Sequence, residues 1–258
     1  MIFKIDLHCH STASDGSLSP ADLIHRAAEQ NVTAISLTDH DTTAGLAEAR
    51  KISASHGIQF IPGIELSTTW NKKCFHIIGL NIDPDSPPLQ KGLKQLQATR
   101  IERAGRIAEK LKKKGINNAL ESVKLIAGRG MITRTHFAEF LVSQKHAFSM
   151  QNAFDLYLSK GKPAFVSTQW TDLDEAIGWI TGSGGVAVLA HPMRYKITAS
   201  WMRRLLETFK EAGGQGIEVV SGRHNPDEIM RATHYATRYG LMGSVGSDFH
   251  TPRNPWVE

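Results

Sequence analysis

Histidine and carboxylate side chains form three clusters that lie far apart in the chain. The clusters are residues 6–10 (DLHCH), 39–41 (DHD) and 247–250 (SDFH), and each follows a short apolar run. Imidazole and carboxylate groups are common ligands of catalytic divalent metals. One His-x-His pair is weak evidence, because such pairs recur by chance. Three clusters that each follow an apolar run predict one metal site built from the whole chain, and therefore an enzyme.

Walking along the predicted strand ends collects more donors than one ion can use. Seven candidates come at or just beyond the C-terminal end of a strand, the rim where barrel active sites form. Asp15 lies in a loop, and His76 is near the start of its apolar run, so it must reach the rim differently. One ion takes about four to six donors, so we expect two or three ions that share a carboxylate, most naturally Glu65. The candidate metal ligands are His8, His10, Asp15, His40, Glu65, His76, His191, Asp248 and His250.

The elements that must position these residues alternate between strand and helix patterns. This rhythm predicts an α/β fold with a parallel sheet and crossover helices. Seven strands are expected, which is enough for a barrel. The predicted strands span residues 3–7, 34–37, 59–64, 75–80, 186–189, 217–220 and 242–245, and the helices between them span 19–30, 43–56, 172–181, 199–211 and 226–239.

A helical stretch interrupts this rhythm after a Pro-rich loop at residues 83–88. We expect residues 83–162 to form an inserted helical subdomain, and residues 1–82 and 163–258 to form the barrel. The first predicted helix of the insertion is strongly basic, which indicates either a solvated face or a site for phosphate groups. The predicted helices of the insertion span residues 89–114, 121–127, 135–143 and 150–158.

The composition excludes several other classes of protein. The chain has 258 residues, 41% of them apolar, and a formal charge of +5, which is too modest to indicate DNA as a partner. Cys9 and Cys74 cannot form a disulfide framework, and we interpret both as small buried hydrophobes. We see no signal peptide and no apolar run near the ~20 residues of a membrane span. We therefore expect a cytoplasmic protein without a membrane partner.

Five sequence elements carry a resemblance to a known family. Residues 6–11 (DLHCHS), 38–42 (TDHDT), 62–65 (PGIE), 190–192 (AHP) and 246–250 (GSDFH) resemble those of the PHP (polymerase and histidinol phosphatase) family of metal-dependent phosphoesterases. Their order and spacing span the chain.

Within that family, the chain most resembles the group of 3′,5′-nucleoside bisphosphate phosphatases and 5′-3′ exoribonucleases. The likeness lies in residues 12–16 (TASDG) and 132–137 (ITRTHF). Asp15 is itself informative, since many PHP proteins carry a histidine there.

The resemblance implies a distorted (β/α)7 barrel of the PHP fold with a three-ion site, in which Mn is expected and Zn or Fe are alternatives. It also implies that the inserted helices cover the active site and supply arginines to the substrate phosphate and base. The implied ion groups are His8, His10, Glu65 and Asp248; then Asp15, His40 and His250; then Glu65, His76 and His191. The implied catalytic residues are His191, Asp15 and His40, and the implied substrate-binding residues are Arg100, Arg103 and Arg134, with Arg194 as a further candidate.

The chemistry of these groups suits phosphate esters. A hydroxide held between ions would attack phosphorus in line while other ions neutralise the phosphoryl oxygens, and arginines would bind a second phosphate. We therefore expect hydrolysis of the 3′-phosphate of 3′,5′-bisphosphorylated nucleosides, and shortening of short RNA from its 5′ end by the same attack. The alternatives are a PHP phosphatase of a small metabolite such as histidinol phosphate, an amidohydrolase of C–N bonds, and a non-catalytic nucleotide-binding module.

The sequence departs from the family at its C-terminus. It stops at residues 255–258 (PWVE), soon after the last candidate ligands. Family members continue for some tens of residues that pack a last helix on the barrel, whereas all nine candidate ligands already lie within this sequence.

Overall fold

Within the described residues, eight strands form a nearly closed barrel-shaped sheet: seven follow the order β1-β2-β3-β4-β6-β7-β8, and the short β5 pairs with β3. The computed structural model describes residues 4–222 and 224–253. A parallel bridge between Cys9 and Phe249 joins the two ends of the sheet, which confirms the predicted α/β barrel. The strands are β1 (Ile5–Cys9), β2 (Ala34–Leu37), β3 (Gln59–Trp70), β4 (Lys73–Leu80), β5 (Thr171–Asp172), β6 (Val186–Leu189), β7 (Gly216–Ser221) and β8 (Met242–Gly246).

The helices follow the predicted pattern closely. Ser19 caps α1 by accepting a hydrogen bond from the Asp22 backbone N–H, as the Ser-Pro start predicts. The last predicted helix of the insertion ends in a π-helical turn, Phe154–Leu158. The helices are α1 (Pro20–Glu29), α2 (Leu46–Ser55), α3 (Pro87–Lys112), α4 (Ala119–Ala127), α5 (Arg134–Ser143), α6 (Met150–Ala153), α7 (Leu173–Gly182), α8 (Ala199–Glu211) and α9 (Pro226–Tyr239).

The β3–β4 hairpin corrects the expectation of a wholly parallel sheet. β4 pairs antiparallel with both β3 and β6, and Asn71 and Lys72 make the turn in the left-handed region, with φ of 46° and 61°. The first residues of β4 therefore lie at the rim where the parallel strands end. This reversal explains how His76, near the start of its strand, reaches the same rim as the other candidate ligands.

Two separate apolar cores lie along one helix. The first half of α3 places Leu89, Leu93 and Leu96 in the barrel core, whereas its second half places Ala104 and Ile107 in the core of the insertion. The helix packs closely on α7, because a Cβ on Gly92 would lie 2.4 Å from the Trp179 ring. The barrel and the insertion therefore share α3, although the sequence assigns it to the insertion alone.

The structure bears on three further expectations, which concern the cysteines, the chain ends and membrane-spanning helices. Cys9 is buried, as predicted, but Cys74 is exposed, because it lines the cleft described below. Residue 3 of the first predicted strand, and residues 255–258, lie outside the described residues. Within the described ranges, no helix is long and apolar enough to cross a membrane.

Candidate active site

The carboxylate of Glu65 lies at the centre of the rim. Its Oε2 atom is 3.4 Å from His8 Nε2, 3.3 Å from His10 Nε2 and 2.9 Å from His40 Nδ1. Among the described residues this buried oxygen has no hydrogen-bond partner. A buried carboxylate oxygen without a donor is costly, so the arrangement suits a cation between Glu65 and the imidazoles.

The other oxygen of Glu65 faces a different pair of histidines. Its Oε1 atom is 2.9 Å from His76 Nδ1 and 3.0 Å from His191 Nε2. The two oxygens of one carboxylate thus address two groups of imidazoles. This is the geometry that the sequence analysis expects of a carboxylate shared between ions.

Four donor atoms have the spacing of a metal coordination shell. His8 Nε2 and His10 Nε2 are 3.1 Å apart, and Asp248 Oδ1 lies 3.4 Å from the first and 3.2 Å from the second. His8, His10 and Glu65 form a group whose donor atoms could hold one ion, and Asp248 adjoins both histidines of that group. Tetrahedral ligands at about 2.1 Å from an ion lie about 3.4 Å from one another. The distances from the two histidines to each carboxylate therefore match those between ligands of one divalent ion.

A second group of donors lies beside the first. His250 Nε2 is 3.4 Å from Asp15 Oδ1, and His40 Nε2 is 3.9 Å from the same oxygen. Thr135, at the start of α5, donates a hydrogen bond of 2.8 Å to Asp15 Oδ2. The insertion thus helps to orient Asp15. Seven of the nine candidate ligands fall into groups compatible with metal binding, and the other two, His191 and Asp248, lie within 3.4 Å of members of these groups.

Close opposite charges shift the pKa values of these groups. Burial alone would raise the pKa of Glu65, yet His40, His76 and His8 hold it well below its usual range. Burial would lower the pKa of His76, but Glu65 raises it to about 10. The cluster therefore contains ionised carboxylates beside histidines, and these are groups for which protons and cations compete.

The backbone is strained at two of the nine positions. His191 has φ of 29° and Asp248 has φ of 50°, a region that costs a residue with a side chain about 1–2 kcal/mol. Each residue lies two positions beyond the end of a barrel strand, His191 after β6 and Asp248 after β8. Strain of this kind persists only where the surroundings enforce it, and it is concentrated at functional sites.

A cleft of about 530 Å³ joins the rim to the insertion. Arg103, from α3, and Arg134, from α5, line it, and neither forms an ion pair with any described residue. Burial and the nearby guanidinium groups of Arg134 and Arg100 lower the pKa of Arg103 to about 9. Uncompensated cations held this close together favour an anionic ligand.

The other two predicted substrate arginines line the same cleft but are already paired. Arg100 Nε donates to Asp41 Oδ2 at 2.6 Å, and its NH2 group donates to Ser67 Oγ at 2.9 Å, both in the buried interior. Arg194 forms an ion pair with Asp248. Two of the five N–H donors of Arg100 are therefore engaged within the protein, and Arg194 is anchored to a candidate ligand.

Comparison with known proteins gives the chain a family. A profile of the PHP domain matches residues 6–222. The chain belongs to the PHP domain family. It is 46% identical, over 96% of its length and 88% of the relative's, to the 3′,5′-nucleoside bisphosphate phosphatase of Chromobacterium violaceum. It is 45% identical, over 98% of its length and 87% of the relative's, to the 5′-3′ exoribonuclease Rnm of Escherichia coli.

A solved structure from Chromobacterium violaceum shares this PHP fold. It is described as an amidohydrolase with bound sulfate and no metal, and it matches with a TM-score of 0.94 and 44% identity. The match covers 99% of this chain and 90% of the other. The two proteins therefore share both the barrel and the insertion.

Sequence reasoning missed one buried acidic residue of this PHP domain. Glu218, in the middle of β7, accepts a hydrogen bond from His8 Nδ1 at 2.9 Å and another from the His191 backbone N–H. These contacts fix the ring of His8 so that its Nε2 faces the cluster. The available signal was a lone carboxylate within the apolar strand Gly216–Ser221.

The acidic neighbours of the motif histidines have a different role. Asp39 accepts hydrogen bonds from the backbone N–H and hydroxyl of Ser11, at 2.8 and 2.6 Å, and from the Ser14 hydroxyl at 2.6 Å. Asp6 accepts from the backbone N–H and hydroxyl of Ser247, at 2.9 and 2.6 Å. These carboxylates hold the loops that carry the candidate ligands.

Proposed function

We propose that this protein is a metal-dependent phosphoesterase that removes the 3′-phosphate of 3′,5′-bisphosphorylated nucleosides and shortens RNA from its 5′ end. One observation carries the proposal: the cleft has a cluster of histidines and carboxylates on one wall and unpaired arginines on the other. The names of the Chromobacterium violaceum and Escherichia coli relatives support the same two activities.

The nine residues at the rim would hold two or three divalent ions, with Mn as the expected metal and Zn or Fe as alternatives. We assign His8, His10, Glu65 and Asp248 to one ion, because the Nε2 atoms of the two histidines lie 3.1 Å apart and 3.2–3.4 Å from an oxygen of each carboxylate. Bound ions would supply Lewis acidity, which neutralises charge on a phosphoryl group and lowers the pKa of the attacking water.

The protein's own residues would orient the substrate around this cluster. Arg103 and Arg134 would bind the phosphate that is not cleaved, since a guanidinium group donates two parallel hydrogen bonds to phosphate. Asp15, held by Thr135, and His40 would lie beside the cleaved phosphate, together with His191. Glu65 contacts His40 and His191 through its two oxygens, and Asp15 Oδ1 lies 3.9 Å from His40 Nε2, which supports a shared role for these three residues.

The size of the cleft supports the proposed substrate. A cleft of about 530 Å³ lies within the usual range for small-ligand sites, roughly 300–1,000 Å³, and would admit one nucleotide. We expect a nucleotide or the 5′ end of a short RNA as the substrate, and the cytoplasm as the compartment.

The alternatives explain the cleft less well. Histidinol phosphate carries one phosphate, so its hydrolysis would leave Arg103 and Arg134 without an anionic partner. The same objection applies to a neutral amide, although one structural relative carries the name amidohydrolase. A non-catalytic module would have no use for nine donors gathered at coordination distances.

A direct comparison of substrates tests the proposal. The purified protein is assayed with manganese against adenosine 3′,5′-bisphosphate and against histidinol phosphate, and its metal content is measured. We expect the bisphosphate to be turned over faster, because only it has a second phosphate for the arginines. Faster turnover of histidinol phosphate would overturn the proposal, and the Asp248→Ala variant controls for contaminating phosphatases.

A further inference from the structure

Three lysines lie around the opening of the cleft. Lys72 and Lys73 form part of the β3–β4 turn, and Lys160 follows the π-helical turn of the insertion. Lys72 and Lys160 are exposed, and Lys73 is half-buried, with its ammonium group 5.5 Å from the centre of the Trp201 ring. The two walls of the cleft therefore both present lysines where the cleft meets solvent.

The lining of the cleft is strongly basic outside the candidate metal ligands. Apart from the candidate metal ligands, the described residues that line the cleft include no carboxylate. Lys72, Lys73 and Lys160 form no ion pair with any described residue. A bisphosphorylated nucleoside has one phosphate for the rim and one for Arg103 and Arg134. The lysines are thus in excess of what a mononucleotide needs. The basic residues of the lining are Lys72, Lys73, Arg100, Arg103, Arg134, Lys160 and Arg194.

Two aromatic side chains line the same cleft as these cations. Phe154, from the π-helical turn, and Phe165 are half-buried and line the same cleft. Grooves that combine cations with aromatic faces bind single-stranded nucleic acid, because each unpaired base can stack on a ring regardless of its identity. A base in a duplex is already paired and stacked, so its faces are not available.

We propose that Lys72, Lys73 and Lys160, with Phe154 and Phe165, form a track for single-stranded RNA. The lysines bind backbone phosphates beyond the nucleotide that occupies the metal cluster, and the phenylalanines stack against bases. The inference rests on the proposed function and deepens it. The track makes RNA a substrate bound by more contacts than the mononucleotide, and it makes RNA cleavage sensitive to salt.

Two triple variants separate the track from the general charge of the protein. The first is Lys72→Gln/Lys73→Gln/Lys160→Gln. The control is Lys112→Gln/Lys113→Gln/Lys114→Gln, which removes the same charge from exposed positions outside the cleft. Both are assayed from 50 to 200 mM salt on a 5′-phosphorylated single-stranded RNA and on adenosine 3′,5′-bisphosphate.

We expect the track variant to lose about 30-fold in kcat/KM on RNA at low salt, and its log–log salt slope to become shallower by about 2. Turnover of the bisphosphate should stay within about twofold, and the control should match the wild type on both substrates. Equal losses on the two substrates would place the lysines in the mononucleotide site. Either that result or unchanged RNA cleavage would overturn the track.

Binding of the same RNA, measured by fluorescence anisotropy, keeps the inference separate from the proposed function. If the wild type hydrolyses neither substrate, the proposed function fails. The track then stands if the track variant binds RNA more weakly than the control does, and it falls if the two bind equally.

Discussion

Charged side chains are paired at the barrel rim, whereas, in the part of the chain that the structure describes, two arginines on the insertion are not. At the rim, carboxylates and histidines approach within hydrogen-bonding or coordination distance, as in the contacts of Glu65 and Asp248. On the insertion, Arg103 and Arg134 face the cleft without a carboxylate partner among the described residues. The rim therefore suits cations, and the insertion suits anions. On the proposed function, the rim supplies the chemistry and the insertion supplies the choice of substrate.

Asp248→Ala should have the largest effect and should affect only the chemistry. It removes a donor atom that lies within 3.4 Å of His8 and His10. We expect kcat/KM to fall more than about 1,000-fold on adenosine 3′,5′-bisphosphate and on an aryl phosphate alike, or about 4 kcal/mol of activation free energy. Calorimetry should still detect nucleotide binding. Full activity in this variant would contradict a metal mechanism at the rim.

Arg134→Met should impair turnover of the bisphosphate but not of an aryl phosphate. The methionine keeps an apolar stem beside Phe154 but cannot bind phosphate. We expect kcat/KM on the bisphosphate to fall about 50-fold, as for a lost charged hydrogen bond of about 2 kcal/mol, and turnover of an aryl phosphate to change little. The melting temperature should not fall, because one of two repelling cations is gone. Arg106→Met, on an exposed face of α3, is the control. Equal losses on both substrates would remove Arg134 from the substrate site.

Glu218→Gln should have the smallest effect and tests how the rim is supported. The amide can still accept hydrogen bonds, but it lacks the charge that orients His8 and His191. We expect metal affinity to fall about 10-fold, so that activity is low at limiting manganese and recovers in excess. The exposed Glu211→Gln should behave as the wild type. Loss of activity that excess manganese does not restore would argue against this supporting role.

Local patterns predicted most elements of the fold but not their direction. β2, β6, α8 and α9 have the predicted bounds, because their apolar periodicity is clear and turn residues flank them. β3 continues to Trp70, beyond its predicted end, since its polar residues Ser67–Thr69 are buried against the cleft and the neighbouring strands. The antiparallel direction of β4 depends on its pairing partners, and the sequence of one strand carries no such information.

The sequence predicted those parts of the candidate site that depend on local motifs, and not those that depend on contacts between distant residues. The His and carboxylate clusters pointed to nine residues that the structure brings together, while their role as metal ligands stays a prediction. The pair of Arg100 and Asp41 spans 59 positions in sequence, so no local pattern could show that Arg100 is already occupied. Glu218 could have been noticed, since a lone carboxylate in an apolar strand requires a partner.

The continuity of α3 limits which substrates fit. This helix runs unbroken for 26 residues, about 39 Å at 1.5 Å per residue, and is embedded in both cores. Arg100 and Arg103 lie between the two embedded halves, so neither can move relative to the barrel unless the helix bends. The backbone that carries Arg103 is therefore held at a fixed distance from the histidine cluster. On the proposed function, the rigid α3 would select nucleotides by the separation of their phosphates rather than by the identity of their base.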